Sequence, residues 1–268
     1  AGFVNAGLIP NRLPDTDETP EYHTADATLW YLWAIDQYFR ATDDVETLAA
    51  LFPVAAQVVE WHQRGTRHRI HMADDGLIHA GHAGINVTWM DAKIGDRIIT
   101  PRTGKPIDVN ALWYNALRNL ARWAERLGRP GGAFTQLADR AQAAFARFWN
   151  PDRQACHDVI DGPLGADDRI QANQIHAVAL DHSPLTPEQQ RAVVATCAAK
   201  LLTPYGLRTL APDERGYHGR YVGNHIARDE AYHTGTAWGW LLGPFVVADF
   251  RVHGDRDRAR AFLQPLLG

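Results

Sequence analysis

Cysteine, methionine and long apolar runs are scarce in this chain, and each scarcity closes off a class of protein. Two cysteines in 268 residues leave no disulfide framework, since Cys156 falls in a polar stretch and Cys197 in a helical one. The longest strongly apolar run, Trp238 to Ala248, is too short to cross a bilayer and is interrupted by Gly243 and Pro244. A membrane is therefore not an expected partner. Basic charge is not in excess either: 27 Lys and Arg stand against 31 Asp and Glu, a net charge of −4. With no basic stripe, nucleic acid is not an expected partner. Paired-cysteine spacings, HExxH and acid-rich calcium loops are all missing. The histidines spaced by three, at His68/His71 and His79/His82, thus raise no metal expectation, and no cofactor is expected. Gly104-Lys105 lacks the glycine spacing of a phosphate loop. No signal peptide opens the chain, so the cytoplasm is the expected compartment.

What is present is a globular composition, 46% hydrophobic and 22% charged, of a length that suits one domain over residues 1–268. Periodicity marks eight helical segments. Those at Ala25 to Arg40 and Tyr232 to Phe250 are apolar nearly all round, which demands burial on most sides, Asp108 to Leu127 is rich in core residues, and the shorter Ile170 to Leu180 is read as a buried helix with them. Those at Asp44 to Arg64, Gly132 to Trp149, Pro187 to Leu201 and Asp255 to Leu267 carry an apolar stripe and a wet face. Links after the first kind are short, whereas links before them are long (Thr66 to Ile107, Asn150 to Arg169, Leu202 to Ala231). All long loops therefore gather at one end of the molecule, at the N-termini of the buried helices. This alternation predicts an all-α fold, an α/α toroid of four helical hairpins with inner helices around a pocket. An α-solenoid would show more uniform repeats. Ala1 to Pro20 reads as loop, and a closed ring of this kind has more hairpins. The expectation is an N-terminally incomplete barrel whose upstream part belongs to the same protein. Gly7-Leu8-Ile9, Gly76-Leu77-Ile78 and Gly206-Leu207-Arg208 form a short recurring pattern, read as a glycine turn leading into an extended piece.

The long loops contain Gly, Trp, His and paired acids instead of low-complexity sequence, which marks them as functional. In Asn86-Val87-Thr88-Trp89-Met90-Asp91 an acid follows closely on an aromatic. Glycoside hydrolysis needs two carboxyl groups, one protonated and one ionised, and an aromatic that desolvates an acid suits it to the protonated role. The plain alternative is a loop Asp capping Gly95 or pairing with Lys93 or Arg97. Arg228-Asp229-Glu230-Ala231-Tyr232-His233 offers the second acid, with a helix N-cap or first-turn acid as its plain alternative. Glu21-Tyr22-His23-Thr24-Ala25-Asp26 adds hydrogen-bonding groups beside aromatics, the combination that fits a sugar's hydroxyl edge and C–H face. Asp43-Asp44-Val45-Glu46 lies in a short link at the other end and reads as a helix cap.

Several strings carry a resemblance. Gly7 to Arg12 (GLIPNR), Glu21 to Trp30 (EYHTADATLW), Thr88 to Asp91 (TWMD), Thr100 to Leu117 (TPRTGKPIDVNALWYNAL), Asn173 to Leu180 (NQIHAVAL), Leu202 to Thr209 (LTPYGLRT) and Arg228 to Phe245 span almost the whole chain. With them the sequence resembles the C-terminal catalytic domain of glycogen-debranching enzymes, in its amylo-α-1,6-glucosidase form. The resemblance implies a six-hairpin α/α toroid that removes α-1,6-linked glucose from branched α-glucan with inversion. It implies Asp91 as general acid and Asp229, ahead of Glu230, as general base. The expected substrate pocket takes Tyr22, His23, Asp26, Trp89, Lys93, Asn110, Trp113, Asn173, His233 and Trp238, with Trp113 and Trp238 the first to fall back into the core. The sequence departs from the family pattern at His23 (Asn expected), Gln171-Ala172 (Arg-Pro), Thr234 (Gln) and Gly239 (Pro). Two other functions stay open: a trehalase-like or epimerase-like enzyme on the same toroid, and a non-catalytic carbohydrate-binding fragment.

Overall fold

The computed structural model describes residues 2–13, 15 and 19–267, so the loop expected over 1–20 lies partly outside the described residues. Among the described residues there are nine α-helices. They are α1 (Asp26–Thr42), α2 (Val45–Arg64), α3 (Ile107–Arg126), α4 (Gly132–Phe145), α5 (His176–Ala179), α6 (Pro187–Lys200), α7 (His225–Tyr232), α8 (Leu242–His253) and α9 (Arg256–Leu263). Strands are short antiparallel pieces confined to the links. None of these helices is long and apolar enough to cross a membrane.

Four hairpins form from the pairs α1/α2, α3/α4, α5/α6 and α8/α9, and α1, α3, α5 and α8 pack in succession as the inner row. The architecture is an α/α toroid. Burial follows the sequence pattern most closely in α3, where every residue from Ile107 to Leu117 is buried and Trp113 and Trp123 are fully enclosed. Buried acids staple inner helices to their neighbours. Asp36 of α1 accepts Trp123 Nε1 of α3 at 2.8 Å and Arg40 Nε at 2.6 Å. Asp249 of α8 takes Arg258 of α9 at 2.9 and 3.0 Å.

Four segments differ from their expected form, the last of them Asp255 to Leu267, which is α-helical only to Leu263 and passes into 3-10 geometry at Gln264–Leu266. The expected helix Gly132 to Trp149 ends at Phe145, turns through 3-10 geometry at Ala146–Phe148 and enters a strand that pairs with Ala155–Cys156. Within Ile170 to Leu180 only Ala172–Ile175 (3-10) and α5 are helical. The expected continuous helix Tyr232 to Phe250 is broken. Tyr232 closes α7, Ala237–Trp238 is a strand, and the helix resumes at Leu242. The break lies at Thr234-Gly235-Thr236. Gly235 sits at φ +147, with the His218 carbonyl 2.6 Å from where a Cβ would be, while Thr236 Oγ1 donates back to the Ala231 carbonyl at 2.7 Å. A run of apolar side chains outweighed this local turn chemistry in the sequence reading.

The recurring glycine pattern becomes a repeated device. Gly7, Gly76 and Gly206 all have positive φ, and a Cβ on them would meet Trp61, Arg140 and the Trp238 carbonyl at 2.2, 2.9 and 2.2 Å. Each following leucine (Leu8, Leu77, Leu207) is 0% exposed. Inner helices then capture the first two extended pieces: Thr28 Oγ1 accepts Ile9 N–H at 2.9 Å and Asn110 Oδ1 accepts Ile78 N–H at 2.7 Å. Loops of different hairpins also pair with one another. Lys105–Pro106 pairs with Val159–Ile160, and Gln171 bridges Leu210. The long loops are thus one connected layer over the inner helices.

Candidate active site

The loop carrying Trp89 and Asp91 is held by its own neighbours. Ala25 N–H, just before α1, donates to the Val87 carbonyl at 2.7 Å. The Met90 carbonyl accepts both Asn86 Nδ2 and Thr100 Oγ1, the latter at 2.8 Å. Met90 is buried, with its sulfur 3.2 Å from Asn173 Nδ2. Asp91 therefore leaves a backbone that is fixed one residue earlier.

Trp89 is the hub of an aromatic cluster. Its Nε1 donates to Asn173 Oδ1 at 2.8 Å, and its ring meets His233, Trp238 and Trp240 edge-on at 5.2, 5.6 and 4.9 Å. His233 stacks on Trp238, and Tyr232 packs 4.6 Å from His233 and 4.8 Å from Trp238. Trp240 stacks on His176 at 5.5 Å, and His176 meets Trp30 at 5.4 Å. That branch leads into a groove of about 340 Å³ lined by Trp30, Trp33, His176 and Val247.

Below the cluster lies a buried ionic layer. Arg102 holds Asp108 at 2.7 and 3.1 Å and Asp158 at 2.7 and 3.2 Å, and Asp158 also accepts Asn173 Nδ2 at 2.7 Å. Burial works against the Arg102 charge, but the two carboxylates outweigh it and the guanidinium stays ionised. Around this layer the titratable groups are pushed toward neutrality. Burial, aided by Asp108, raises Asp26 to about 6. Burial lowers His176 to about 4 and His233 to about 3.

The acids at the rim differ. Asp91 is exposed, yet surrounding protein withdraws enough water to raise its pKa, with nearby His23 acting in the opposite direction. Neither Asp91 nor Asp229 forms an ion pair with Arg or Lys among the described residues. The plain partners considered for Asp91 are engaged elsewhere, because Lys93 lies 3.7 Å from Asp96 and Arg97 pairs with Glu230. Glu230 is therefore tied to the Lys93–Ile98 hairpin, whereas Asp229 stays open. Both Asp91 and Asp229 lie within electrostatic reach of the Tyr232 phenol, whose pKa is raised by burial first, then by Tyr221 and these two carboxylates. Asp229 and Glu230 sit in the second half of α7, capped by Asn224. They are not at the N-terminus of the last inner helix, where the sequence reading had set them, because the chain breaks after Tyr232.

The remaining expected pocket residues divide. Trp89, Asn173, His233 and Trp238 come together. His23 lies beside His68, ring centroids 4.8 Å apart, and within electrostatic reach of Asp91. Asp26 is buried at the start of α1 near Asp108. Tyr22 spends its hydroxyl on the Phe3 carbonyl at 2.8 Å and packs under Arg67. Asn110 and Trp113 are not brought to the cluster. Asn110 binds the backbone of Ile78 and Pro106, and Trp113 Nε1 donates to the Gly76 carbonyl at 3.0 Å. The sequence reading missed Trp240, Arg102 and His176. Trp240 had a signal, an aromatic two residues beyond Trp238. Arg102 had none, since its acids stand 6 and 56 residues away.

A family model described as amylo-alpha-1,6-glucosidase matches residues 1–268. The glycogen debranching enzyme of Saccharomyces cerevisiae is 25% identical over 94% of this chain and 22% of its own length. The chain thus spans about a fifth of that relative. The crystal structure of an uncharacterized conserved protein from Thermus thermophilus superposes with a TM-score of 0.69 at 14% identity, covering 98% of this chain and 75% of the other. A GH63 mannosylglycerate hydrolase from the same organism, in complex with glucose, gives 0.67 at 13%, with 98% and 75% covered. At these identities the two structures speak to the fold alone.

Proposed function

Because this chain belongs to the amylo-alpha-1,6-glucosidase family, a family of glycoside hydrolases, we propose that it supplies the catalytic site of an inverting glucosidase acting on α-1,6-linked glucose of a branched α-glucan. The observation that carries this reading is the pair of uncommitted carboxylates, Asp91 and Asp229, around the Tyr232 phenol beside the Trp89 cluster. In the proposed step Asp91 gives its proton to the glycosidic oxygen as the C1–O bond breaks. Asp229 takes a proton from a water whose oxygen forms the new bond to C1 on the opposite face. Asp91 ends ionised and Asp229 protonated, and solvent restores both. A general acid must hold its proton near neutral pH, and the raised pKa of Asp91, with no Arg or Lys paired to it among the described residues, supports that role. Inversion needs room for the water, roughly 6.5–9.5 Å between carboxyls. Trp89, Trp238 and Trp240 supply flat apolar faces, and Asn173 fixes the Trp89 indole.

A second reading, another glycoside as substrate, draws on two departures from the family pattern. His23 lies near Asp91, and Thr234 adjoins His233 with its hydroxyl on the Glu230 carbonyl. Product analysis by NMR on branched and linear oligosaccharides separates the two, and the proposed reaction releases β-glucose first. In the complete protein, Asp91→Asn is expected to lower kcat by at least about 100-fold, the scale of a lost general acid, with sugar binding retained. Asp229→Asn should do likewise, and Glu230→Gln much less. Near-normal turnover by Asp91→Asn would remove Asp91 from the acid role.

A further inference from the structure

The aromatic cluster has a second branch, which runs outward. From Trp238 and His233 it passes to Tyr232 and then to Tyr221, ring centroids 5.5 Å apart. Tyr221 is 45% exposed and stands at the tip of a loop beside Val222, which is 62% exposed. The loop that carries this exposed tyrosine and valine is fastened at both ends. Tyr217 is wedged between Gly219 and Gly235, where a Cβ would come within 2.6 and 2.7 Å of its atoms. Its hydroxyl accepts Arg208 Nε at 3.2 Å. His218 N–H donates to the Thr234 carbonyl at 2.8 Å, and Asn224 caps α7 through Ala227 N–H at 3.0 Å. Both ends of the tip that carries Tyr221 are thus fixed, which limits the ordering entropy lost when a ligand settles on it.

We propose that Tyr221 and Tyr232 form a shelf for the sugar units beyond the scissile bond, the part of an α-glucan chain that leaves with the glycosidic oxygen. This rests on the glucosidase reading above. The released sugar belongs at the enclosed end, against Trp89 and His233, and the rest of the chain must exit toward solvent. The ladder Trp89–Trp238–Tyr232–Tyr221 follows that course and passes the phenol that both acids influence. A pyranose turns C–H faces to such rings and hydroxyls to polar neighbours, here the Tyr232 hydroxyl. Tyr221 is a specificity residue in this assignment: it selects for acceptor length and leaves bond cleavage to others.

The test uses the complete protein and α-1,6-branched oligosaccharides whose acceptor chain has either two or six glucose units. The readout is the ratio of kcat/KM, long over short. Tyr221→Ala should shrink that ratio about fivefold to tenfold, the scale of one aromatic stacking contact. Tyr221→Trp should restore it. Tyr38→Ala, at an exposed tyrosine at the other end of α1, should leave the ratio where it was. An unchanged ratio in Tyr221→Ala, with cleavage intact, overturns the shelf and spares the glucosidase reading. Calorimetric binding of linear maltohexaose, which has no α-1,6 bond, separates the two further. Binding that depends on Tyr221 in a protein that cleaves no branch point keeps Tyr221 as a glucan contact but overturns the glucosidase reading and, with it, the shelf's place beyond a scissile bond.

Discussion

His62, His176 and His233 are buried, and burial holds their imidazoles at about 4, about 4 and about 3 against an ordinary 6.5. Between those values and 6.5 the unfolded chain binds protons that the native chain refuses. Their contribution to stability is therefore lost as pH falls below 6.5. Asp26 has the opposite sign: raised from 3.8 to about 6, it holds a proton in the native state that the unfolded chain has released. Its contribution is present at low pH and lost as pH rises through 6. Near pH 5, three against one leaves about two protons taken up on unfolding, a slope of roughly 2–3 kcal/mol per pH unit from these groups. Stability by denaturant titration should therefore rise from pH 5 to pH 6.5. Asp26→Asn should steepen the rise by removing the opposing group, and a flat or falling profile would contradict the assigned burial of these histidines. At this scale the sequence singled out Trp89, Asp91 and Asp229 as candidates, because unusual residue pairs stood in loops that composition had already marked. Arg102 was not legible, since a buried charge is defined by partners that only the fold assembles. Asn110 was expected at the pocket and lies outside the cluster, and Trp113 fell back into the core as allowed for: a polar or aromatic residue in an inner helix can face a pocket or tie down a strand, and spacing does not distinguish them.

The hairpins were the readable elements and the loops the unreadable ones. Helix periodicity survives in sequence because it is local, so α1, α2, α3 and α6 fall within two residues of their expected ends. The pieces around the site obey pairings between distant segments. Past the turn that breaks the last inner helix, Leu207 and Arg208 pair with Trp238 and Ala237, and this pairing positions Trp238. Gly206 sits at φ +156 with the Trp238 carbonyl 2.2 Å from where a Cβ would stand. Gly206→Ala must therefore push the Trp238 strand away as well as strain its own backbone. It should lower stability by at least about 1–3 kcal/mol and weaken substrate binding through the displaced Trp238. Thermal unfolding and KM measure the two effects, and a variant with wild-type values for both would mean that the strand pair gives way at no cost.

For the molecule as a whole, the alternation of short and long links was enough to read the toroid, because a short link compels two helices to lie antiparallel and a long one has to cross an end. What the alternation could not convey is how the long excursions are fastened. The stretch between Thr209 and Thr236 leaves and returns through a closed base, with Arg208 paired to Ala237 and Gly235 N–H on Thr209 Oγ1 at 2.8 Å. Its tip, residues 219–223, is exposed. Brief native trypsin treatment should cut first at Arg215 or Arg220 in this excursion, both exposed. The two pieces should separate on a denaturing gel yet elute together as one native-sized species, and fragments that part under native conditions would show the base too weak to hold them. A chain zipped at the mouth of an excursion no longer needs continuity inside it. The covalent link there can be cut or lengthened while the hairpins persist, so this stretch of the proposed active-site wall is where the polypeptide is least indispensable as a polypeptide.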